Sequence, residues 1–453
     1  MSVSSSSSSG DSQAVTVEIV PGEAVSGSIR PPGSKSLTNR ALLCAAMAEG
    51  TSVLAGALHS DDTEAMIEGL RQIGVEIQED LQAHTLTVHG VAGKPLIPAA
   101  DIDVGNSGTT IRFLTAVLSA AGGRYRLHGV ERMHQRPIGD LIKAIEGVLE
   151  GHAIAETDGS CPPVSIESKG WRAGEIRVAG SISSQYLSGL LMAAPLAEGP
   201  IAIHVEEELV SKPYVEMTCR VMREFGVPVE WDEDALSEFS INAPLPYQPA
   251  EYVIEPDASA ASYFWAAAAI TAGTVTVKGL TRDSLQGDVE FVDVLQRMGC
   301  TVSQETEGIT VTGSELKGID VDMNGLSDTV QTLAAVALFA DGATTIRGVA
   351  HNRFKETDRI ADLARELRKL KADVSETADG LIIEPPPRSV WDALQGTVIE
   401  TYDDHRMAMS LALVGLKIPG LQIANPACTA KTYPEFFYDL ERLIARPHRW
   451  RSA

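Results

Sequence analysis

Six times along the chain, a run of small apolar residues rich in Ala and Leu ends at a glycine and gives way to a short β-branched stretch. The runs cover 40–50, 111–123, 186–199, 260–273, 329–342 and 406–420. Apolar stretches of this length closed by glycine predict helices, and the segments after them, such as TSVLAGAL from Thr51, TVTVKGL from Thr274 and TTIRGV from Thr344, predict strands. A polar loop and a second, amphipathic helix follow, as in TEAMIEGLRQIGVEI from Thr63 and VEFVDVLQRMGCTV from Val289. The closing glycines recur roughly every 70 to 78 residues, the mark of an internal repeat. Each unit is therefore α/β, mixing strands with two helices.

A chain of 453 residues exceeds the size at which one hydrophobic core stops growing, so two domains are expected, with three units in each. A chain that leaves one domain and returns to it must cross twice. Pro31, Pro32 and Gly33 mark one crossing; the extended stretch 247–256, with Pro249 and Pro256, marks the other. The expected division is 14–33 plus 255–453 against 34–254. Residues 1–13, a serine run without Arg and without an apolar core, resemble neither a secretory signal nor a transit peptide and suggest a disordered tail.

Charge changes the picture of possible partners. Lys and Arg total 37 against 61 Asp and Glu, a formal net charge of −24, which repels a polyanion and argues against nucleic acid. A small anion is still admissible, because a local cluster of cations can dominate inside a cleft. The five cysteines are scattered with no C-x-x-C pair, so neither a disulfide framework nor a zinc site is indicated, and a reducing cytoplasm is expected. The alanine-rich runs are too short and too broken to span a bilayer.

A cluster of small polar residues precedes each apolar run: Ser34 to Ser36, Asn106 to Thr109, Ser181 to Gln185, Asp257 to Ser259, Ser327 with Asp328, and Asp403 with Asp404. All suit helix N-caps. Capping, however, needs no cation, and Lys35, Arg40, Arg112 and Arg406 stand within the first turns, against the helix dipole. Such placement predicts an anion site at the helix starts. Loops after the strands add Arg132, Arg136, Lys212, Lys355, Arg359 and Lys431. Neither G-x-x-x-x-G-K-[ST] nor G-x-G-x-x-G occurs at these loops, so a nucleotide is not the expected ligand.

In this order the segments PGSKSLTNRALL, GNSGTTIR, ERMHQRPIG, GSISSQYL, LVSKPY, HNRFKETDR, YDDHRMAM and CTAKTYP resemble the signature segments of the 5-enolpyruvylshikimate-3-phosphate synthases, a family of enolpyruvyl transferases. The resemblance spans nearly the whole chain after the serine run. It implies an α/β fold of two domains, each of three βαβαββ units arranged as an inside-out barrel and closing on its ligands. It also implies transfer of the enolpyruvyl group of phosphoenolpyruvate to the 5-hydroxyl of shikimate 3-phosphate by a monomer needing no cofactor or metal. By the same resemblance Lys35, Ser36, Arg40, Ser183, Ser184, Gln185, Ser211, Asp328, Asn352 and Lys355 would hold shikimate 3-phosphate, with Tyr214 lining that pocket. Lys35, Gly108, Arg132, Gln185, Arg359, Arg406 and Lys431 would hold phosphoenolpyruvate. Asp328 is cast as the base at the 5-hydroxyl and Glu356 as the acid at the methylene carbon, with Lys35 sharing the proton work.

One departure stands out: Phe113 follows Arg112 where the common bacterial pattern has Pro. A UDP-N-acetylglucosamine enolpyruvyl transferase would share fold and donor but usually carries Cys in the loop that here runs from Glu131 to Pro137 without one. An RNA terminal-phosphate cyclase is disfavoured by the acidic charge. A non-catalytic phosphate binder would have no use for Asp328 and Glu356 beside its anion.

Overall fold

The computed structural model describes residues 15–232 and 235–452; the serine run 1–13 lies outside them. Among the described residues there are six four-stranded sheets with a common order. In the unit formed by Ala99–Asp103, Gly123–His128, Leu149–Ala155 and Val164–Trp171, the first strand pairs parallel with the second, the second antiparallel with the fourth, and the fourth antiparallel with the third. A helix connects the two parallel strands, the crossover such a pair requires.

Three units are continuous in sequence and three borrow a strand from far away. Glu251–Val253 pairs with Thr51–Ala55, Ser26–Ile29 with Thr274–Lys278, and Val15–Glu18 sits between Gln422–Ala424 and Arg449–Ser452. The borrowed strands tie the beginning of the chain to its end. The two crossings between halves run side by side, with Ser34 N bonded to Glu255 O at 2.8 Å and Asp257 N to Pro32 O at 2.8 Å. Gly33 is needed here, since a Cβ would lie 1.9 Å from the Gly56 carbonyl oxygen.

Buried apolar side chains form two separate cores, one drawn from residues 37–254 and the other from 17–25 and 258–444. At the centre of each half stand the predicted glycine-closed helices, which we label α1 (Lys35–Met47), α2 (Gly108–Ala121), α3 (Ser184–Ala193), α4 (Ala258–Thr271), α5 (Val330–Ala337) and α6 (His405–Ala412). They are rich in small apolar residues and almost wholly buried: every residue of α4, α5 and α6 is buried. The outer helices are amphipathic, as Lys212–Glu224 shows with its buried Val215, Cys219 and Met222.

Three inner helices stop more than a turn short of their predicted glycines. Helix α3 ends at Ala193 because Pro195, which has no N–H, turns the chain into a 3₁₀ segment; α5 and α6 end at Ala337 and Ala412, and a 3₁₀ turn follows α6. The capping expectation holds for five of the six starts. Ser34, Ser107, Ser183, Asp257 and Asp404 accept a backbone N–H of the first turn. The exception is Ser327 with Asp328, which lies in the 3₁₀ turn Asn324–Thr329 and caps nothing, because its carboxylate is turned toward two guanidinium groups.

Candidate active site

The starts of α1, α2, α3, α5 and α6 meet at a crevice between the two halves, while the start of α4 lines a smaller adjoining cavity through Ser259. Residues from both halves line it: Lys35, Gly108 and Gln185 from one, and Asp328, Lys355, Glu356, Arg359 and Arg406 from the other. The crevice is closed by bonds from half to half. Arg132 donates to the carbonyls of Glu356 and Lys355 at 2.9 and 3.0 Å, and Lys431 Nζ to the carbonyl of Asn106 at 2.8 Å. Ser211, at φ 55°, places its N–H 2.9 Å from Asn324 Oδ1 and its hydroxyl 3.1 Å from that of Ser327.

On the 258–444 side Arg359, Arg406 and Lys431 are paired with carboxylates. Arg359 is 2% exposed and meets Asp404 at 2.7 Å, Glu356 at 2.8 Å and Asp328 at 3.3 Å. Arg406 bonds Asp328 at 2.7 Å and Lys431 bonds Glu356 at 2.9 Å. Burial alone would push the Glu356 carboxyl up, but the charges of Lys431, Arg359 and Arg136 outweigh it and hold it well below the usual carboxylate range. For Asp328, burial is likewise overcome by Arg406, Lys355, Arg359 and Lys35, and the group is held low. Both carboxyls are ionised in this state.

Two of the cations that line the crevice lack a carboxylate partner among the described residues. Arg136, 3% exposed, donates only to the carbonyl and side-chain oxygens of Asn106, and burial pushes its pKa down to about 10. Half-buried Lys355 has no partner for its Nζ, and desolvation lowers its pKa to about 8 despite the attraction of Asp328. Arg112 bonds neutral acceptors, Gln185 Oε1 at 2.6 Å and the carbonyls of Gly108 and Pro137. Gly108 lies under this crowd, where a Cβ would fall 2.3 Å from Arg136 Nη2 and 2.8 Å from Arg112 Nη1 and the guanidinium groups would have to shift.

The remaining residues singled out from the sequence sit around this centre. Lys35 opens α1 with Nζ 3.8 Å from Asp62, and Ser183, Ser184 and Gln185 form the start of α3. Ser36 lines a smaller adjoining cavity with Tyr214 and Asp288. Asn352 is fully buried and donates to Ser327 O at 2.9 Å. Arg40 is 2% exposed and spends its N–H groups on Thr218, Ser36, Ser188 and Tyr214. Its guanidinium lies 5.2 Å from the centroid of the Phe113 ring, so the unusual Phe113 is a buried cation–π partner of α1 and is absent from the crevice lining.

Sequence reasoning missed Asp62 and His405, which also line the crevice. Asp62 looks like an ordinary first-turn acid of the helix Asp61–Gln72. His405, inside the YDDHRMAM segment, is 2% exposed with neither ring nitrogen bonded, and burial together with the charge of Arg406 keeps it neutral.

The comparisons with known proteins agree with this geometry. A family model described as EPSP synthase (3-phosphoshikimate 1-carboxyvinyltransferase) matches residues 19–440. A 3-phosphoshikimate 1-carboxyvinyltransferase of Nostoc punctiforme is 46% identical over 91% of this chain and 95% of its own length. A chloroplastic one of Arabidopsis thaliana is 45% identical over 95% of this chain and 85% of its own length. Among solved structures, an EPSP synthase from Acinetobacter baumannii superposes with a TM-score of 0.78 at 28% identity, covering 97% of this chain and all of that one. The enolpyruvyl transferase NikO from Streptomyces tendae, at 20% identity and a TM-score of 0.75 over 97% of this chain and all of its own, shares the fold. With eight signature segments in register, a crevice built from both halves and a family model spanning nearly all of the described chain, this protein belongs to the EPSP synthases, the 3-phosphoshikimate 1-carboxyvinyltransferases.

Proposed function

We propose the following division of roles for the family's reaction, in which the enolpyruvyl group of phosphoenolpyruvate passes to the 5-hydroxyl of shikimate 3-phosphate and inorganic phosphate leaves. The observation that carries it is the pair of crevice-lining cations without carboxylate partners, Arg136 and Lys355, standing beside the ionised carboxylates Asp328 and Glu356. Shikimate 3-phosphate is held by Lys35, Ser36, Ser183, Ser184, Gln185, Ser211, Asp328, Asn352 and Lys355. Arg40, already engaged by protein groups, serves that site by fixing the Ser36 carbonyl and the Tyr214 turn. Phosphoenolpyruvate is held by Lys35, Gly108, Arg132, Gln185, Arg359, Arg406 and Lys431, with Arg136 added.

Addition forms a bond from the 5-oxygen to C2 of phosphoenolpyruvate as C3 gains a proton; elimination returns that proton and breaks the C2–O bond to phosphate. Asp328 takes the hydroxyl proton, while Glu356, with Lys35 beside it, gives and retakes the proton at C3. Neither carboxyl is suited to this while Arg359, Arg406 and Lys431 hold it ionised. The ligands' phosphate and carboxylate groups draw on the same cations and add negative charge, which moves both carboxyls up toward the range where proton transfer is efficient. Closure of 34–254 on 14–33 plus 255–453 about the paired crossings excludes water as this happens. Both walls come from one chain, in keeping with a monomer. The five unpaired thiols favour the cytoplasm. No helix among the described residues is long and apolar enough to cross a membrane.

The test is phosphate release from phosphoenolpyruvate without added metal, comparing shikimate 3-phosphate with UDP-N-acetylglucosamine as acceptor. Release with the former, lost by roughly 10²- to 10⁴-fold in Lys35→Met and Glu356→Gln, supports the assignment. Full activity in both variants would overturn the proton roles.

A further inference from the structure

Next to the crevice, in the smaller cavity that it lines with Ser36 and Tyr214, lies a carboxylate that the reaction does not use. Asp288 follows the first residue of the 3₁₀ turn Gly287–Glu290, is 3% exposed and has no ion-pair partner among the described residues. Its Oδ2 accepts from the Ser259 hydroxyl at the start of α4 and lies 3.0 Å from the Tyr214 hydroxyl, while its Oδ1 is buried without any partner. The same Tyr214 oxygen is 3.2 Å from Asp328 Oδ2.

One hydroxyl carries one proton, so Tyr214 cannot donate to two ionised carboxylates at once. With a proton on Asp288 Oδ2 the chain closes: Asp288 donates to the Tyr214 oxygen, Tyr214 donates to Asp328, and Ser259 still donates to Asp288. Of the charges around the site, that of Asp328 favours this and that of Arg406 opposes it. Asp328 approaches from the Asn324–Thr329 turn, Arg406 comes from α6 and is bonded to Asp328, and Tyr214 comes from the opposite half. Glu255 and Asp257, on the crossing strand, are occupied by Leu285 N, Gln286 and the N–H groups of Lys35 and Ala260. Burial, then the neighbouring charge of Asp328, push the Asp288 carboxyl up to about 7.

We propose that Asp288 is a positioning residue that stores one proton in the closed cleft and, through the Tyr214 hydroxyl, steadies Asp328, so that closure on an anionic ligand draws a proton from solution. Tyr214 belongs to the half opposite both carboxylates, so the chain exists only when the halves meet. An incoming dianion adds repulsion and holds the proton more tightly; by linkage, binding and protonation strengthen each other. The inference rests on the reading of Asp328 as the base.

The experiment is calorimetric titration of the intact enzyme with shikimate 3-phosphate near about pH 7.5, in buffers of different ionisation enthalpy, to count protons. The wild type should take up roughly 0.5 proton more per ligand than Asp288→Asn, which mimics the protonated carboxyl. Ser259→Ala, which removes a donor that favours the ionised form, should move the alkaline limb of kcat/KM to higher pH. Equal uptake in wild type and Asp288→Asn, or an unmoved limb in Ser259→Ala, overturns this inference alone. Absence of any binding of shikimate 3-phosphate overturns the functional reading and takes this inference with it.

Discussion

The two walls of the cleft both carry cations but dispose of them differently. On the wall from residues 34–254, Arg112, Arg132 and Arg136 donate to carbonyl oxygens and amides, and only Lys35 stands near a carboxylate, Asp62 at 3.8 Å. On the wall from 258–444, Arg359, Arg406 and Lys431 are bonded to Asp404, Asp328 and Glu356 at 2.7 to 2.9 Å. A carbonyl satisfies a donor's geometry but leaves its charge uncancelled. The first wall therefore keeps a positive potential, whereas the second holds cations and carboxylates that offset one another.

The largest effect should come from breaking the network on the second wall. Asp404 is fully buried, makes two bonds to Arg359 and caps α6 through Arg406 N. Asp404→Asn removes the charge and strands a buried guanidinium with weaker compensation, at a cost of about 3–5 kcal/mol in urea unfolding. A loss below 1 kcal/mol would mean that Glu356 and Asp328 suffice and that the network is not cooperative.

The opposite wall should respond in the opposite sense. Arg136→Gln removes a buried charge that no carboxylate meets within hydrogen-bond distance, so the free protein should be about as stable as before, while KM for phosphoenolpyruvate rises roughly 10- to 150-fold, the worth of one charge-assisted contact. Destabilisation with unchanged KM would show that Arg136 is a structural residue, and the contrast between the walls would disappear.

Much of this contrast was legible in the sequence and some of it could not be. The repeat, the inner helices and the cations at their starts show locally, because small-residue runs, closing glycines and first-turn Lys or Arg are short-range patterns. The pairing of Val15–Glu18 with strands more than 400 residues on leaves no local trace, and neither does that of Glu251–Val253 with Thr51–Ala55. Asp62 and Asp288 were hidden for a different reason: a single acid near a helix start looks like a dipole complement until tertiary structure supplies Lys35 or Tyr214 beside it. Asp328 was recognised by resemblance but misread locally as a cap, since only the folded chain brings Arg359 and Arg406 to it.

The smallest effect, and the most discriminating, concerns Lys355, the one cation of the second wall that behaves like those of the first. Its pKa is lowered to about 8, first by burial, with Arg359 adding repulsion. The ammonium is thus present below about pH 8 and lost as pH rises through that value. A phosphate monoester is already a dianion above about pH 6. Charge attraction should therefore be greatest between these limits, and KM for shikimate 3-phosphate should climb several-fold from about pH 7 to 9 with little change in kcat. Lys355→Arg, whose guanidinium does not titrate in this range, should flatten that rise whatever it does to the absolute KM. A wild-type KM that is flat across the interval would mean the unpaired ammonium does not hold the ligand, and Lys355 would then belong with the paired cations of its own wall.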